Sequence, residues 1–575
     1  MTEEAIVKKA SQWLSPVFNA STREQVTHLI VNDQAELFEC FYKDLEFGTG
    51  GMRGKMGVGT NRVNIYTIGI ATQGLSNYLM KQYKDSPSKI AIAYDSRNNS
   101  HLFANKAAEI LSANGHMVYI FEELRPTPIL SYAVRELQCQ AGIVITASHN
   151  PKEYNGYKVY WSDGGQLVPP HDKGIIDEVR KIHGPENINM SANHSMIKKI
   201  GEELDYKYLN LINNRLINSN LQEERNELKI VFTSLHGTGI TLIPKMLEMA
   251  GYQHVHIVDE QKNPDGNFPT VHSPNPEERA ALDLGLKAGQ RIDADIVIGT
   301  DPDADRVGIA IRNEANELEL INGNQAAALL IYYLLSRKQE DGTISSNQFI
   351  AKTIVTSEIL TDLANHFGVK IYHTLTGFKY IAELIGEKEG KEKFIGGGEE
   401  SYGYLVDDFV RDKDAVISAV MLCEMACWAK TKGKEVWQLM REIYEVTGLY
   451  KEALVSITKE GSVGFDEIQA LMDKWRHHPP KEINGSRVTQ FIDYKTGIQK
   501  FKPAGNISTI NFPKSNVLQY ITSDHSKITV RPSGTEPKIK YYISVKCDYN
   551  QGDNFNAASE KLNQKIESIK KELAV

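Results

Sequence analysis

Three carboxylates stand at alternate positions in Asp301-Pro-Asp303-Ala-Asp305-Arg306. Directly after the apolar run ADIVIGT, they would repel one another strongly unless a cation or a basic group sat among them. An all-oxygen donor set favours Mg²⁺, Mn²⁺ or Ca²⁺ over zinc. An EF-hand also opens on alternating acids, but it needs Gly and Glu where this chain has Arg306 and Arg312. A second segment, Thr146-Ala-Ser148-His149-Asn150-Pro151, carries a serine to the end of the run AGIVI. A serine hydroxyl is a weak nucleophile without a base, a metal or prior modification. The surroundings are not G-x-S-x-G, so a hydrolase elbow is unsupported. Beside the acidic loop, Ser148 could carry a phosphoryl group whose charge a metal offsets.

Two further segments suit anions and hydroxyls. Arg531-Pro-Ser533-Gly534-Thr535 combines a guanidinium fork, two hydroxyls and an open backbone, with Lys538 and Lys540 close behind. That set fits a phosphate. Gly396 to Gly403 joins a glycine run to Glu399, Glu400 and Ser401, good partners for sugar hydroxyls. The plainer alternatives are a solvated acidic turn, a Ser/Asn-rich turn and an exposed hairpin loop. In Gly48 to Met56, Arg53 fills the last place of G-x-G-x-x-G, and Thr49 and Met56 break a P-loop. Anion binding through Arg53 stays open there, whereas ATP or NAD is not indicated.

These loops need scaffolds to hold them. Apolar β-branched runs, each followed by a small-residue turn and a helical pattern, recur at 88–100, 141–151, 229–239, 294–308 and 348–357. Strands apolar on both faces and alternating with helices predict parallel α/β layers, whose ligands bind beyond the strands' carboxyl ends. A helix is expected after Ser21, with Glu24 completing a capping box, and another at NAASEKLNQKIESIKKELA. KITV and KIKYYISVK read as strands on either side of RPSGTEP. Polar stretches near 185–205 and 450–465, and a point near 322, are candidate boundaries.

The whole chain is consistent with that scheme. At about 150 residues per domain, 575 residues suggest roughly four domains. Lys plus Arg total 65 against 73 Asp plus Glu, a net charge of −8, which argues against a nucleic-acid coat or a polybasic membrane anchor. Five cysteines make no disulfide scaffold, and Cys423 and Cys427 read as core residues on an apolar helix. The longest apolar runs fall short of the ~20 residues that span a bilayer. The first residues show no apolar signal core, so a reduced, cytoplasmic setting is expected.

Taken in order, and with FGTGGMRG and YDSRNNS beside them, the four segments resemble the α-D-phosphohexomutase superfamily in its longer phosphoglucomutase/phosphomannomutase type. TASHNP is similar to that family's phosphoserine loop, GTDPDADRVG to its magnesium loop, GGGEESYGY to its sugar-recognition loop and RPSGTEP to its phosphate-binding loop. The resemblance implies three α/β domains and a smaller α+β C-terminal domain around a central cleft, at 1–205, 206–321, 322–455 and 456–575. It implies that Ser148 is phosphorylated and that Asp301, Asp303 and Asp305, with Ser148, hold Mg²⁺. Lys158 matches a general acid/base, with His149, Arg53 and Arg306 supporting transfer. Thr376, Gly377, Glu399, Ser401, Arg411 and Lys413 would meet the substrate. Arg531, Ser533, Gly534, Thr535 and Lys540 would hold the phosphate that is not transferred. Some members place a histidine after Glu-x-Ser, as in GEMSGH. This chain reads GEESYGY, which shifts weight to Lys158.

The activity so implied interconverts α-D-glucose 1-phosphate and glucose 6-phosphate through a phosphoserine and a glucose 1,6-bisphosphate intermediate, which also serves as activator. Mannose or pentose phosphates would use the same mechanism. Rival readings are a phosphatase that releases the phosphoryl group to water and a non-catalytic sugar-phosphate-binding protein. The implied partners are small sugar phosphates, with no nucleic acid or membrane, and with monomer or dimer left open.

Overall fold

The computed structural model describes all residues except 1, 49, 85, 218–219, 460, 502–504, 534–537 and 574, with backbone alone at 461–463. The chain forms two compact units, one of Met1–Ala326 with Phe378–Val436, the other of Ala327–Gly377 with Trp437–Val575.

The first unit opens with α1 (Glu3–Ser11), α2 (Ala20–Asn32) and α3 (Gln34–Phe41). They bury Trp13, Phe18, Val26 and Phe41 against Tyr66. The expected Ser21–Glu24 box does not start α2. Asn19 caps the helix instead, accepting the Thr22 N–H at 2.8 Å, which leaves Ser21 inside the first turn.

Six strands follow: β1 (Gly51–Lys55), β2 (Lys89–Tyr94), β3 (Met117–Phe121), β4 (Ala141–Ile145), β5 (Tyr154–Trp161) and β6 (Ile197–Ile200). They lie in the order β1-β5-β4-β2-β3-β6. β4, β2, β3 and β6 run parallel, as the doubly apolar sequences of β2 and β4 predict, with α4 (Ile65–Gln82), α5 (Ser100–Ala113) and α6 (Thr127–Glu136) among the connecting helices. Every residue of β4 is buried. Antiparallel β5 folds back on β4 and brings Lys158 opposite Val144.

A second sheet is built from β7 (Lys229–Thr233), β8 (His254–Ile257), β9 (Ile296–Thr300), β10 (Val307–Arg312) and β11 (Leu318–Ile321), in the order β11-β10-β9-β7-β8. β9, β7 and β8 are parallel, and β10 returns antiparallel to β9 with Val307 opposite Thr300. The three carboxylates therefore sit on the connection 301–306 between two buried strands. The unit also contains the hairpin Lys393–Gly398/Tyr404–Val406 and the helix Ala415–Thr431, where Cys423 and Cys427 are buried as expected.

In the second unit, strands Gln348–Thr353 and Lys370–Thr374 pair in parallel. An eight-stranded sheet from Leu449 to Cys547 follows, with antiparallel pairings throughout. Within it Lys527–Pro532 and Lys538–Cys547 form the expected strands on either side of RPSGTEP, with Arg531 opposite Lys540. The C-terminal helix runs Phe555–Leu573. Among the described residues no helix is long and apolar enough to cross a membrane.

Candidate active site

The first unit gathers the carboxyl ends of β4 and β9. Ser148 follows β4 by three residues and is only 3 % exposed. Its backbone takes φ 52°, a left-handed conformation unfavourable for a serine. The Ser148 N–H is tied to Thr146 Oγ1 at 2.8 Å, and its Oγ donates to Asp301 Oδ2 at 2.7 Å. His149 Nδ1 lies 3.2 Å from the same Oγ. Close approach of β5 makes this turn possible. A Cβ on Gly156 would lie 2.5 Å from the Thr146 carbonyl oxygen and 2.8 Å from that of Met52.

Asp301, Asp303 and Asp305 are all buried, and one carboxylate oxygen from each lies within 4.8 Å of the others. Asp301 Oδ1 closes the loop by accepting the N–H groups of Asp305 and Arg306 at 3.2 and 3.1 Å. Asp303 Oδ2 accepts from Lys158 Nζ at 2.8 Å and Thr127 Oγ1 at 3.1 Å. Asp305 Oδ2 faces Lys413 at 3.2 Å and Lys158 at 3.5 Å. Asp303 Oδ1 and Asp305 Oδ1 are buried without a hydrogen bond. Apart from Arg306 Nε, 3.8 Å from Asp305 Oδ1, these oxygens have no donor partner among the described residues, and an all-carboxylate set with such free lone pairs fits a hard divalent cation.

The electrostatics follow from burial and crowding. Burial, then the charges of Asp303 and Asp305, push the Asp301 carboxyl well above the usual range. Burial would also raise Asp303, but the Lys158 ammonium outweighs it and holds that carboxyl well below the ordinary value. Lys158 itself is raised, because Asp303 and Asp305 overcome the desolvation that would lower it. Burial, reinforced by Arg306 and Arg53, keeps the His149 imidazole neutral. Arg306 is anchored to Glu277 at 2.6 Å, and Arg53 on β1 donates to Asn150 Oδ1 at 2.9 Å.

Ser148, His149, Lys158, Arg53, Arg306, the three aspartates and Lys413 thus belong to one constellation. Glu399 is 5 % exposed at the end of the Lys393–Gly398 strand, its N–H donating to the Gly403 carbonyl at 2.8 Å, with half-buried Ser401 in the turn that follows. The Glu399 charge helps to raise Lys413, after Asp305 and Asp412. Arg411 is not brought to the carboxylates. It is fully buried, and its guanidinium pairs with Glu389 at 3.2 Å and the Asp408 carbonyl. Thr376, Gly377, Arg531, Ser533 and Lys540 are all half-buried in the second unit, where the Ser533 N–H donates to the Lys538 carbonyl at 2.7 Å. Gly534 and Thr535 lie outside the described residues.

Three neighbours escaped the sequence reading. Thr127 binds Asp303; Asp412 bridges Lys413 at 3.1 Å and the Tyr160 hydroxyl at 2.6 Å; Arg97 grips the serine loop. Arg97 and Asp412 carry a signal, the first as the basic residue of YDSR just after β2, the second within RDKD at 411–414, which resembles a segment of the longer phosphoglucomutases.

A serine facing a buried triple-carboxylate loop across two α/β layers is an arrangement that suits metal-assisted phosphoryl chemistry. Comparison with known proteins narrows the class. Models for the phosphoglucomutase/phosphomannomutase alpha/beta/alpha domains I, II and III match residues 44–185, 206–314 and 322–447. The chain belongs to the phosphoglucomutase/phosphomannomutase family. It is 38 % identical to a phosphoglucomutase of Staphylococcus haemolyticus, over 91 % of this chain and 93 % of that one. It is 39 % identical to one of Staphylococcus aureus, over 92 % and 93 %. Among solved structures, a putative phosphomannomutase of Thermus thermophilus superposes with TM-score 0.69 at 19 % identity, covering 93 % of this chain and all (100 %) of that one. The open form of parafusin, a Paramecium phosphoglucomutase, gives 0.68 at 18 %, covering 92 % and 95 %. These two likenesses bear on the fold, which is that of the phosphohexomutases: three α/β domains and a C-terminal antiparallel sheet domain.

Proposed function

We propose that this chain is a phosphoglucomutase, interconverting α-D-glucose 1-phosphate and glucose 6-phosphate through phospho-Ser148 and a glucose 1,6-bisphosphate intermediate. The contact between Ser148 Oγ and Asp301 carries the reading, because it puts the phosphorylatable hydroxyl on the rim of the carboxylate loop. The curated relatives named phosphoglucomutase favour glucose among the sugars.

In the first half-reaction a free sugar hydroxyl attacks the phosphorus of phospho-Ser148. The new P–O bond forms on the sugar, the P–Oγ bond breaks, and one proton passes from that hydroxyl to Ser148 Oγ. The second half-reaction is the reverse with the other phosphate, after the bisphosphate has turned end for end. Lys158, hydrogen-bonded to Asp303, and His149, beside Ser148 Oγ, are the candidates to handle that proton. Asp301, Asp303 and Asp305, with Ser148, would hold Mg²⁺, which when bound offsets charge on the transferring oxygens. Arg306 and Arg53 add fixed positive charge to the same place. Glu399 and Ser401 would bind sugar hydroxyls, and Arg531, Ser533 and Lys540 the distal phosphate. Excluding water protects the phosphoserine from hydrolysis.

The test compares initial rates on glucose, mannose and ribose 1-phosphates, each with its bisphosphate. The fastest isomer formation is expected with glucose. A preference for mannose or ribose reassigns the substrate. Phosphate release without isomer formation supports a phosphatase, and binding without either product a sensor.

A further inference from the structure

Ser148 holds a disfavoured backbone conformation, so something must impose it. The guanidinium of Arg97 is buried behind the serine loop. Its Nη2 donates to the carbonyls of Ser148, at 2.5 Å, and Asn150. Its Nη1 donates to those of Pro151 and Tyr154 at 2.9 and 3.0 Å. Its Nε faces Asp95 Oδ2 at 3.4 Å. Four carbonyls and a carboxylate thus surround the five N–H groups of one planar fork, an arrangement lysine cannot reproduce.

The clamp is backed by the other α/β layer. The ring of Phe268 lies 5.0 Å from the guanidinium, and Asn98 donates to Asn267 at 3.0 Å. The segment bearing Phe268 is pinned by His236, whose ring contacts the Asn263 carbonyl at 3.1 Å and Thr270 Oγ1 at 2.9 Å. Two residues on, Thr238 donates from its N–H and its hydroxyl to the Pro302 carbonyl, at 2.8 and 2.9 Å, inside the aspartate loop. One continuous set of contacts therefore joins the Ser148 carbonyl to the loop that carries Asp301.

We infer that Arg97, seated on Phe268, is a positioning residue that sets Ser148 Oγ against the carboxylate loop for phosphoryl transfer. The inference rests on the phosphoserine reading above. A displacement near 1 Å at a reacting centre costs about a hundredfold in rate. Arg97→Lys therefore lowers kcat by about that factor with KM little changed. Phe268→Leu, which leaves the carbonyl contacts in place and removes the cation–π contact, lowers kcat by about threefold to thirtyfold. Both raise the share of phosphoryl groups lost to water per turnover.

The experiment measures kcat, KM, inorganic phosphate release and phosphoserine content by intact mass. It uses the full chain as wild type, both variants and Ser148→Ala, with rates normalised to folded protein from thermal melts. Lower kcat at constant KM with greater phosphate release supports the clamp. Wild-type kcat and phosphate release in both variants, with Ser148 phosphorylated in the wild type, overturn the clamp alone. Should Arg97→Lys fail to fold, Phe268→Leu decides in the same terms. Absence of phosphoserine from bisphosphate-treated wild type, or turnover by Ser148→Ala, overturns the parent reading instead.

Discussion

Replacing Lys158 with Met keeps the apolar stem of the side chain and deletes its charge. The ammonium lies 2.8 Å from Asp303 and 3.5 Å from Asp305. At an effective dielectric of about 20, unit charges at those separations attract by about 6 and 5 kcal/mol. Desolvation of the ion cancels much of this, and removing one partner of a buried pair costs about 3–5 kcal/mol net. Urea unfolding of Lys158→Met in EDTA should show a loss of that size. Magnesium should then stabilise the variant by more than the wild type, because the cation takes over a neutralisation that Lys158 otherwise provides. At a hundredfold excess over its Kd the gain is about 2.7 kcal/mol. Equal stability in EDTA, or the same magnesium gain in both proteins, would refute the charge balance described for the loop.

Further outcomes are expected elsewhere. Gly156→Ala forces a Cβ against the Thr146 and Met52 carbonyls and should cost about 1–3 kcal/mol in chemical denaturation, with a fall in kcat as the serine turn shifts. Arg531→Ala should raise KM about tenfold to a hundredfold through a lost charge-assisted phosphate contact, and unchanged KM would remove that assignment. His116 is buried on Ser76, and burial pulls its pKa down to about 4. The native state thus keeps it neutral while the unfolded chain protonates near 6.5. Its contribution is complete above pH 6.5 and is lost as pH falls towards 4, about 3 kcal/mol in all. Stability measured across that window should depend less on pH in His116→Gln than in the wild type.

The parallel layers were legible because AGIVI and ADIVIGT are apolar on both faces, which demands burial between helices. The candidate site residues Ser148, Asp301, Asp303 and Asp305 are legible because they follow those strands directly. What escaped was the return of the chain. The mixed sequence of β5 gives no sign that it will run antiparallel and carry Lys158 to Asp303. Nor could spacing distinguish Lys413, which reaches Asp305, from Arg411, two residues away and committed to Glu389. Arg97, Thr127 and Asp412 act through contacts at long sequence separation, which no local pattern encodes. The Ser21–Glu24 box failed for a local reason, a better cap at Asn19.

The central claim is that Ser148 stores a phosphoryl group and lends it to a sugar. Protein incubated with labelled glucose 1,6-bisphosphate, freed of ligand and then mixed with unlabelled glucose 1-phosphate tests it in a single turnover. Label is expected first on the peptide containing Ser148 and then, after mixing, in glucose 1,6-bisphosphate. Label on another residue, or isomer formation with no labelled peptide at any time, would contradict it.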